Sequence, residues 1–561
     1  MKLLKTLLLC TLALGNVFTA HANDGECQNH LQRYSQSLET NQNYQSNFNE
    51  LVCRLVDANY QEKETIINEI VASESDSALL IIESLKNADL FYNKKNGDVV
   101  TRIKLDNGKY QATSILSNEI LGEFKKRDLR KIGINNNLRR AINGLVAELQ
   151  ISSSDISLRE SAASELLKSA EISALPLLEK ALLKETNDNV KDILLTARAL
   201  VYLQGDDQLA RIDAIKFLDG SLYTETRNGL HAFLNRAKQE NNTYAKVEIQ
   251  LAQKTLDDIN ELMKLNGVLE NVYFGVALGA VLLLAAIGLA ITFGVMGVIN
   301  MAHGEMIMLG AYTTFVIQQL MPNNIGLSLV VAVPAAFLVS GLVGVLIERS
   351  VIRHLYGRPL ETLLATFGIS LVLQQAVRSI FGPLNQDVQT PDWMAGTFTV
   401  NAGLELTFNR LYIIIFSLLV LAALALVLKK TLFGLQMRAV TMNRPMASSM
   451  GIKTGWVDAL TFGLGSGIAG IAGVALSQLT NVGPNLGQQY IIDSFMVVVF
   501  GGVGNLWGTL VGAMSLGIAN KIFEPMAGAV LAKIIVLVAI ILFIQKRPRG
   551  LFALKGRSVE D

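Results

Sequence analysis

Cysteine is scarce in this chain, with three in 561 residues, at positions 10, 27 and 53. The five histidines are scattered, so no Cys/His spacing suggests a zinc site, and no resident metal or cofactor is expected. No Gly-x-x-x-x-Gly-Lys-Ser/Thr phosphate loop occurs, which excludes ATP hydrolysis of that type within the chain. Charge is thin in one half only. Residues 266–561 hold 17 Lys/Arg and 12 Asp/Glu, whereas residues 23–265 hold 30 and 36. The first part therefore reads as soluble and mildly acidic, the second as lipid-embedded, and no nucleic-acid partner is expected.

What is present at the start is a targeting pattern. Lys2 and Lys5 form a basic region, residues 7–14 a short apolar run, and Ala20-His21-Ala22 a small-x-small cleavage site. The run falls short of the roughly 20 residues needed for a span. Residues 1–22 are expected to be a signal peptide cleaved after Ala22, with an uncleaved anchor as the alternative. Residues 23–265 would then be periplasmic, where Cys27 and Cys53 can form a disulfide or remain a buried free pair.

Apolar positions three and four apart indicate helices from about residue 28 to 85 and again from 137 to 234. Between them, residues 99–105 and 110–116 alternate about Asp106-Asn107-Gly108, the pattern of a β-hairpin. The second helical stretch suggests stacked helix pairs of the HEAT type, although no fixed period is found. His30 and His231 are isolated, so a binding or scaffolding module is expected rather than an enzyme.

In the second half, residues 274–296 are uncharged and long enough to cross a bilayer. Residues 306–347 are too long for one crossing and break at Pro322-Asn323-Asn324, giving two. Residues 362–381, 411–428, 459–478 and 527–544 follow. Residues 494–520 would form two short crossings or a re-entrant pair. Counted as two, they give about nine spans over residues 270–553 and an overall mainly α fold. Thirteen of the 17 basic residues fall in three clusters, beginning at Arg349, Lys429 and Lys546, which are expected to be cytoplasmic. A periplasmic start, a cytoplasmic C-terminus and an odd span count agree. Gly463-x-x-x-Gly467 and Gly508-x-x-x-Gly512 favour close helix packing.

The most distinctive string is Phe293-Gly-Val-Met-Gly-Val-Ile-Asn-Met-Ala-His-Gly-Glu305. It sets Asn300, His303 and Glu305 at or near membrane depth, where polar groups need a cavity or partners. An interfacial turn with solvated side chains is the alternative. Gln374, Gln375 and Asp493 are further candidates for a polar pathway, and Lys533 is expected to snorkel outward.

This string, with Met306-Ile-Met-Leu-Gly-Ala-Tyr312, resembles the signature of the branched-chain amino acid, amide and urea permeases of ABC importers. Ile347-Glu348-Arg349, residues 363–371, Phe500-Gly-Gly-Val-Gly504 and Arg547-Pro-Arg-Gly-Leu-Phe552 fit the same family in order. The resemblance implies alternating access without a covalent step in a multi-pass protein of the bacterial inner membrane. It implies separate ATP-binding subunits, a second related permease and a periplasmic solute-binding protein, with lipid around the spans. Residues 429–455 would be the cytoplasmic coupling loop, with Gly434, Arg438, Asn443 and Gly451 expected to serve ATPase docking. A basic loop that only fixes topology is the alternative. The long exported region is similar to that of proteobacterial urea permeases, so urea is expected, with branched-chain amino acids or short amides as the alternative. A membrane sensor or an intramembrane enzyme is more remote. A sensor needs an output domain, but only about fifteen residues follow Gln545, and an enzyme would have only the His303/Glu305 pair.

Overall fold

A computed structural model describes residue 27 and residues 48–73, 78–105, 108–239 and 246–552. The expected signal peptide lies outside the described residues, as do His30 and part of the hairpin turn. The chain divides into two compact units, residues 1–259 and 260–561.

The first unit begins with α1 (Phe48–Arg54), α2 (Tyr60–Ala72) and α3 (Ala78–Lys86). A capping box starts α2: Asn59 Oδ1 accepts from the Gln61 and Glu62 amides at 3.0 Å, and Glu62 returns a carboxylate to the Asn59 amide. Cys27 and Cys53 are joined by a disulfide, with Cα atoms 5.2 Å apart, inside a core that includes Leu51, Ile67, Ile82 and Leu138.

The expected hairpin exists, but it is part of a larger sheet. Strands β1 (Phe91–Asn93), β2 (Val99–Lys104), β3 (Tyr110–Ser114), β4 (Ile120–Phe124) and β5 (Leu129–Lys131) form an antiparallel sheet in the order β4-β3-β2-β1-β5. β2 pairs with β3 from Val100↔Ser114 to Lys104↔Tyr110, the two stretches read from alternation. β1 and β5 are three residues long and β4 contains Gly122, so none carries a readable period.

Six helices follow: α4 (Asn136–Gln150), α5 (Ile156–Ser169), α6 (Leu175–Lys184), α7 (Asp188–Tyr202), α8 (Gln208–Phe217) and α9 (Thr224–Gln239). α7 is the hub, packing on α5, α6, α8 and α9. Its inward side is apolar, with Val190, Leu194, Ala197 and Val201 buried. Arg159 Nε and Nη2 clasp Glu185 at 2.8 and 3.1 Å, tying α5 to the end of α6.

The 51-residue helix α10 (Lys246–Met296) contains the first expected crossing. Then come α11 (His303–Leu320), α12 (Ile325–Ser350), α13 (Pro359–Phe381), a hairpin of β6 (Thr397–Asn401) and β7 (Leu404–Thr407), and α14 (Phe408–Lys430). The short α15 (Leu432–Met442) and α16 (Arg444–Ser449) precede α17 (Thr454–Ser477), α18 (Leu486–Gly501), α19 (Leu506–Ala527) and α20 (Ala529–Lys546).

Among the described residues seven helices are long and apolar enough to cross a membrane: α10, α12, α13, α14, α17, α19 and α20. The other two expected crossings, α11 and α18, are not in that set; α18 is 16 residues long and α11 carries His303 and Glu305. Both have many buried residues, and a helix surrounded by protein can carry polar residues that a lipid-facing one cannot. The break after α11 falls at residues 321–324, where Pro322-Asn323-Asn324 was expected to place it.

α17 is the centre of the bundle. Of its most apolar stretch 89% is buried, against 17% for the peripheral α20. Its small side chains make this possible: a Cβ on Gly467 would meet the Phe337 ring at 2.7 Å, and one on Gly470 would meet the Ala336 carbonyl at 2.5 Å. The second expected glycine pair also lies at a helix contact, with Gly512 facing the Val497 carbonyl.

Candidate functional site

The polar string between α10 and α11 folds into the bundle interior. Gly297, with φ +68, turns the chain after α10, and Asn300 Oδ1 accepts from the Ala302 amide at 3.0 Å in the turn that precedes α11. His303 Nε2 lies 2.9 Å from the Ala285 carbonyl. A carbonyl can only accept, so Nε2 carries the proton and Nδ1 is left as an acceptor. Gly304 lets α11 approach α18, since a Cβ there would meet the Gly487 carbonyl at 2.6 Å.

Glu305 is 1% exposed. Its Oε1 accepts from Ser370 Oγ at 2.9 Å and from Gln374 Nε2 at 2.7 Å. One turn earlier on α13, Thr366 Oγ1 accepts from the Met301 amide at 3.1 Å. Thr362, Thr366, Ser370 and Gln374 are all buried on α13 at spacings of four, one polar stripe facing the start of α11. Thr366 and Ser370 were missed by the sequence reading, although the i, i+4 repeat of polar residues inside an apolar helix was a visible signal.

Several polar atoms in and around this region have unused hydrogen-bonding capacity, with His303 turned toward α10 and Glu305 toward α13. Glu305 Oε2, His303 Nδ1, Asn300 Nδ2 and the Tyr312 hydroxyl are buried and have no hydrogen-bond partner among the described residues. Buried polar atoms are ordinarily satisfied, and leaving one unpaired costs about 1–3 kcal/mol.

Not every candidate joins this cluster. Gln375, the next residue on α13, is exposed where Gln374 is buried. Asp493, buried on α18, is ion-paired with Lys533 of α20 at 3.2 Å. Lys533, expected to snorkel outward, has a side chain about half exposed, and its ammonium reaches this carboxylate 40 positions away in sequence. Among the described residues no group of three or more His, Cys, Asp or Glu is placed to hold a metal.

In segment 429–455 the four residues singled out from sequence shape the backbone. Gly434 packs against the Leu428 backbone with no room for a Cβ, and Arg438 donates to the Leu428 carbonyl. Asn443 caps α16 by accepting from the Met446 amide at 3.0 Å, and Gly451 adopts φ +87. Facing outward are Leu435, Met442, Met446 and Met450. Arg444, at the start of α16, was counted in the sequence only as one of a basic cluster. It is ion-paired with Asp458 of α17 and donates to the Tyr356 hydroxyl, with its guanidinium 3.8 Å from that ring's centre. Burial pushes the Tyr356 phenol up to about 12, so it remains a protonated, neutral partner.

Two further strings cited for the family resemblance meet in space. The Leu551 amide donates to the Phe500 carbonyl at 2.9 Å and the Phe552 amide to the Gly501 carbonyl at 3.2 Å. Gly550 and Gly502, both at positive φ, pass close enough that neither tolerates a Cβ.

A glycine-packed bundle of apolar helices around a buried carboxylate cluster defines a polytopic membrane protein with a polar site in its interior. Residues 271–544 match the family model described as branched-chain amino acid transport system / permease component. The chain is 31% identical over 293 residues to the high-affinity branched-chain amino acid transport system permease protein LivH of Escherichia coli, covering 50% of this chain and 94% of that protein. It is 29% identical over 296 residues to the corresponding protein BraD of Pseudomonas aeruginosa, covering 50% and 95%. A probable branched-chain amino acid transport permease protein of Methanocaldococcus jannaschii is 27% identical over 274 residues, covering 48% and 82%. No solved structure matches the chain significantly. The chain belongs to this family of transport-system permease components. The relatives' names favour the branched-chain amino acid alternative over the urea expectation.

Proposed function

We propose that the chain is a channel-forming subunit of an ATP-driven importer and that the cluster around Glu305 lies on the solute's route. The observation that carries this reading is the buried Glu305 carboxylate, held through Oε1 by Ser370 and Gln374 with Oε2 free to accept. Alternating access would expose this cluster to one side and then the other, with no covalent step. Residues 23–265 would be periplasmic and the C-terminus cytoplasmic. Residues 429–455 would dock separate ATPase subunits, alongside a second related permease and a periplasmic binding protein. The chain would work without a cofactor of its own.

Branched-chain amino acids are the first reading for the solute, supported by the named relatives. A solute ammonium would be accepted by Glu305 Oε2. Urea is the second reading, and one observation favours it. The relatives match only about half of this chain, leaving the long N-terminal region as an addition of the kind similar to urea permeases. The hydrogen bonds to Glu305 come from Ser370 and Gln374, neutral groups that suit urea, while Arg378, one turn beyond Gln374, is near enough for its charge to act on Glu305 and would suit an amino-acid carboxylate.

Radiolabelled uptake of leucine and of urea, compared in a deletion strain with and without the restored gene, separates the two. Leucine uptake that depends on the gene supports the first reading, and urea uptake that depends on it supports the second. Dependence of neither overturns both.

A further inference from the structure

Arg444 fastens the exposed segment 429–455 to the interior of the bundle. Its guanidinium binds Asp458, which is 1% exposed near the start of α17, and Tyr356 in the link between α12 and α13. Glu348, buried at the end of α12, is near enough for the charges of Arg444 and Asp458 to act on it. Three other parts of the chain thus converge on the Arg444 side chain. A planar guanidinium that pairs and stacks at once does what a lysine ammonium cannot.

α17, which carries Asp458 near its start, is 24 residues long and rises roughly 36 Å through the bundle. Its glycines sit against neighbouring backbone along that length. Gly463 lies against Gly341 of α12, and Gly470 and Gly473 lie against Gly310 and Ile307 of α11. Ile307 follows Glu305 by two residues. Contacts this close leave little slack, because packed interiors shift between discrete arrangements rather than deform smoothly.

We propose that the Arg444–Asp458 pair is the joint through which movement of segment 429–455 is passed to α17, and along α17 to the turn of α11 that carries Glu305. Arg444, Asp458 and Tyr356 are then positioning residues for coupled transport; they do not touch solute. The proposal rests on the reading of 429–455 as the ATPase-docking segment.

The test uses the assembled importer in proteoliposomes, carrying Asp458→Asn, Arg444→Lys, Tyr356→Phe or the exchange Arg444→Asp/Asp458→Arg. Three quantities are read: ATPase subunit retained on purification, ATP hydrolysed, and solute moved per ATP. In Asp458→Asn and Tyr356→Phe, which lie outside segment 429–455, retention and basal hydrolysis are expected within about twofold of wild type. Solute moved per ATP is expected to fall at least about tenfold in Asp458→Asn and less in Arg444→Lys and Tyr356→Phe, with partial recovery in the exchange. An assembled Asp458→Asn complex with wild-type solute per ATP overturns the joint. So does loss of ATPase retention in place of loss of coupling. If Asp458→Asn does not assemble, Arg444→Lys keeps the charge and decides by the same ratio. Failure of the docking reading is seen separately, as Arg438→Glu leaving ATPase retention intact.

Discussion

Gln374 donates to Glu305 at 2.7 Å, joining α13 to the start of α11, while the adjacent Gln375 faces away from the cluster. Two identical side chains, one residue apart, therefore separate a role in the polar cluster from a general effect on α13. Gln374→Leu is expected to lower uptake by about tenfold or more, because it strips a hydrogen bond from a buried carboxylate. Gln375→Leu is expected to stay within about twofold of wild type. Uptake at matched membrane levels measures both, and equal effects would reject the assignment.

Arg438→Glu is expected to abolish uptake and co-purification of the ATPase subunit, with membrane insertion unchanged. Its bond to the Leu428 carbonyl holds α15 against the end of α14, so charge reversal disturbs both the shape and the field of the segment. Unchanged uptake would reject docking at this segment.

The Cys27–Cys53 link closes a loop with a sequence separation of 26 inside an apolar core. Cys53→Ser is expected to cost the N-terminal unit about 2–4 kcal/mol. Limited proteolysis of the full-length protein over a denaturant series should show earlier cleavage within residues 48–239, and reduction of the wild type should reproduce it.

The Arg159–Glu185 clasp gives the same unit a pH dependence. The hydrogen bond from Arg159 holds the Glu185 carboxyl below the usual carboxylate range, with backbone amides of Asn187 and Thr186 adding to the effect. A depressed folded-state value contributes stability that is present above the unfolded value and is lost as pH falls through the folded one. The N-terminal unit of Glu185→Gln should therefore be less stable than wild type at neutral pH, and the gap should narrow as pH drops below about 4. A gap that widens on acidification would contradict the assignment.

Glycine position separates packing from backbone freedom. Gly470→Leu is expected to prevent stable accumulation of the bundle, since overpacking of this kind costs about 1–3 kcal/mol or more. Gly267→Ala meets nothing within 4 Å on α10 and is expected to stabilise the helix by about 0.5–1 kcal/mol. Thermal stability of the two variants in detergent checks the contrast.

Much of the architecture was legible because lipid and water impose local rules. The uncharged runs located five of the seven membrane-length helices within a few residues and the end of a sixth, α10, whose helix begins at Lys246 rather than 274; the seventh, α19, overlaps the glycine-rich stretch at 494–520 and runs on to Ala527. Pro322-Asn323-Asn324 marked a true break. The alternating residues 99–105 and 110–116 pair as read, whereas β1, β4 and β5 escaped because they are too short or too irregular to show a period. In the candidate site, Glu305, His303 and Asn300 stood out by their cost at membrane depth. Ser370, Thr366 and Arg444 did not, because a serine or threonine in an apolar helix and an arginine in a basic loop are unremarkable until a partner is seen.

The sequence by itself determined the division into a charged unit and an apolar one, the positions where the chain must cross or break, and the presence of polar residues where polarity is costly. Each of these is a property of a short window, since hydrophobicity and backbone permissiveness act residue by residue. Only the tertiary structure decided that Glu305 meets Gln374 and not Gln375, that Lys533 is held by Asp493, and that Arg444 is tied to Asp458. Those pairings depend on the rotation and close approach of helices distant in the chain, which glycine contacts such as Gly470 against Ala336 set and no local pattern records.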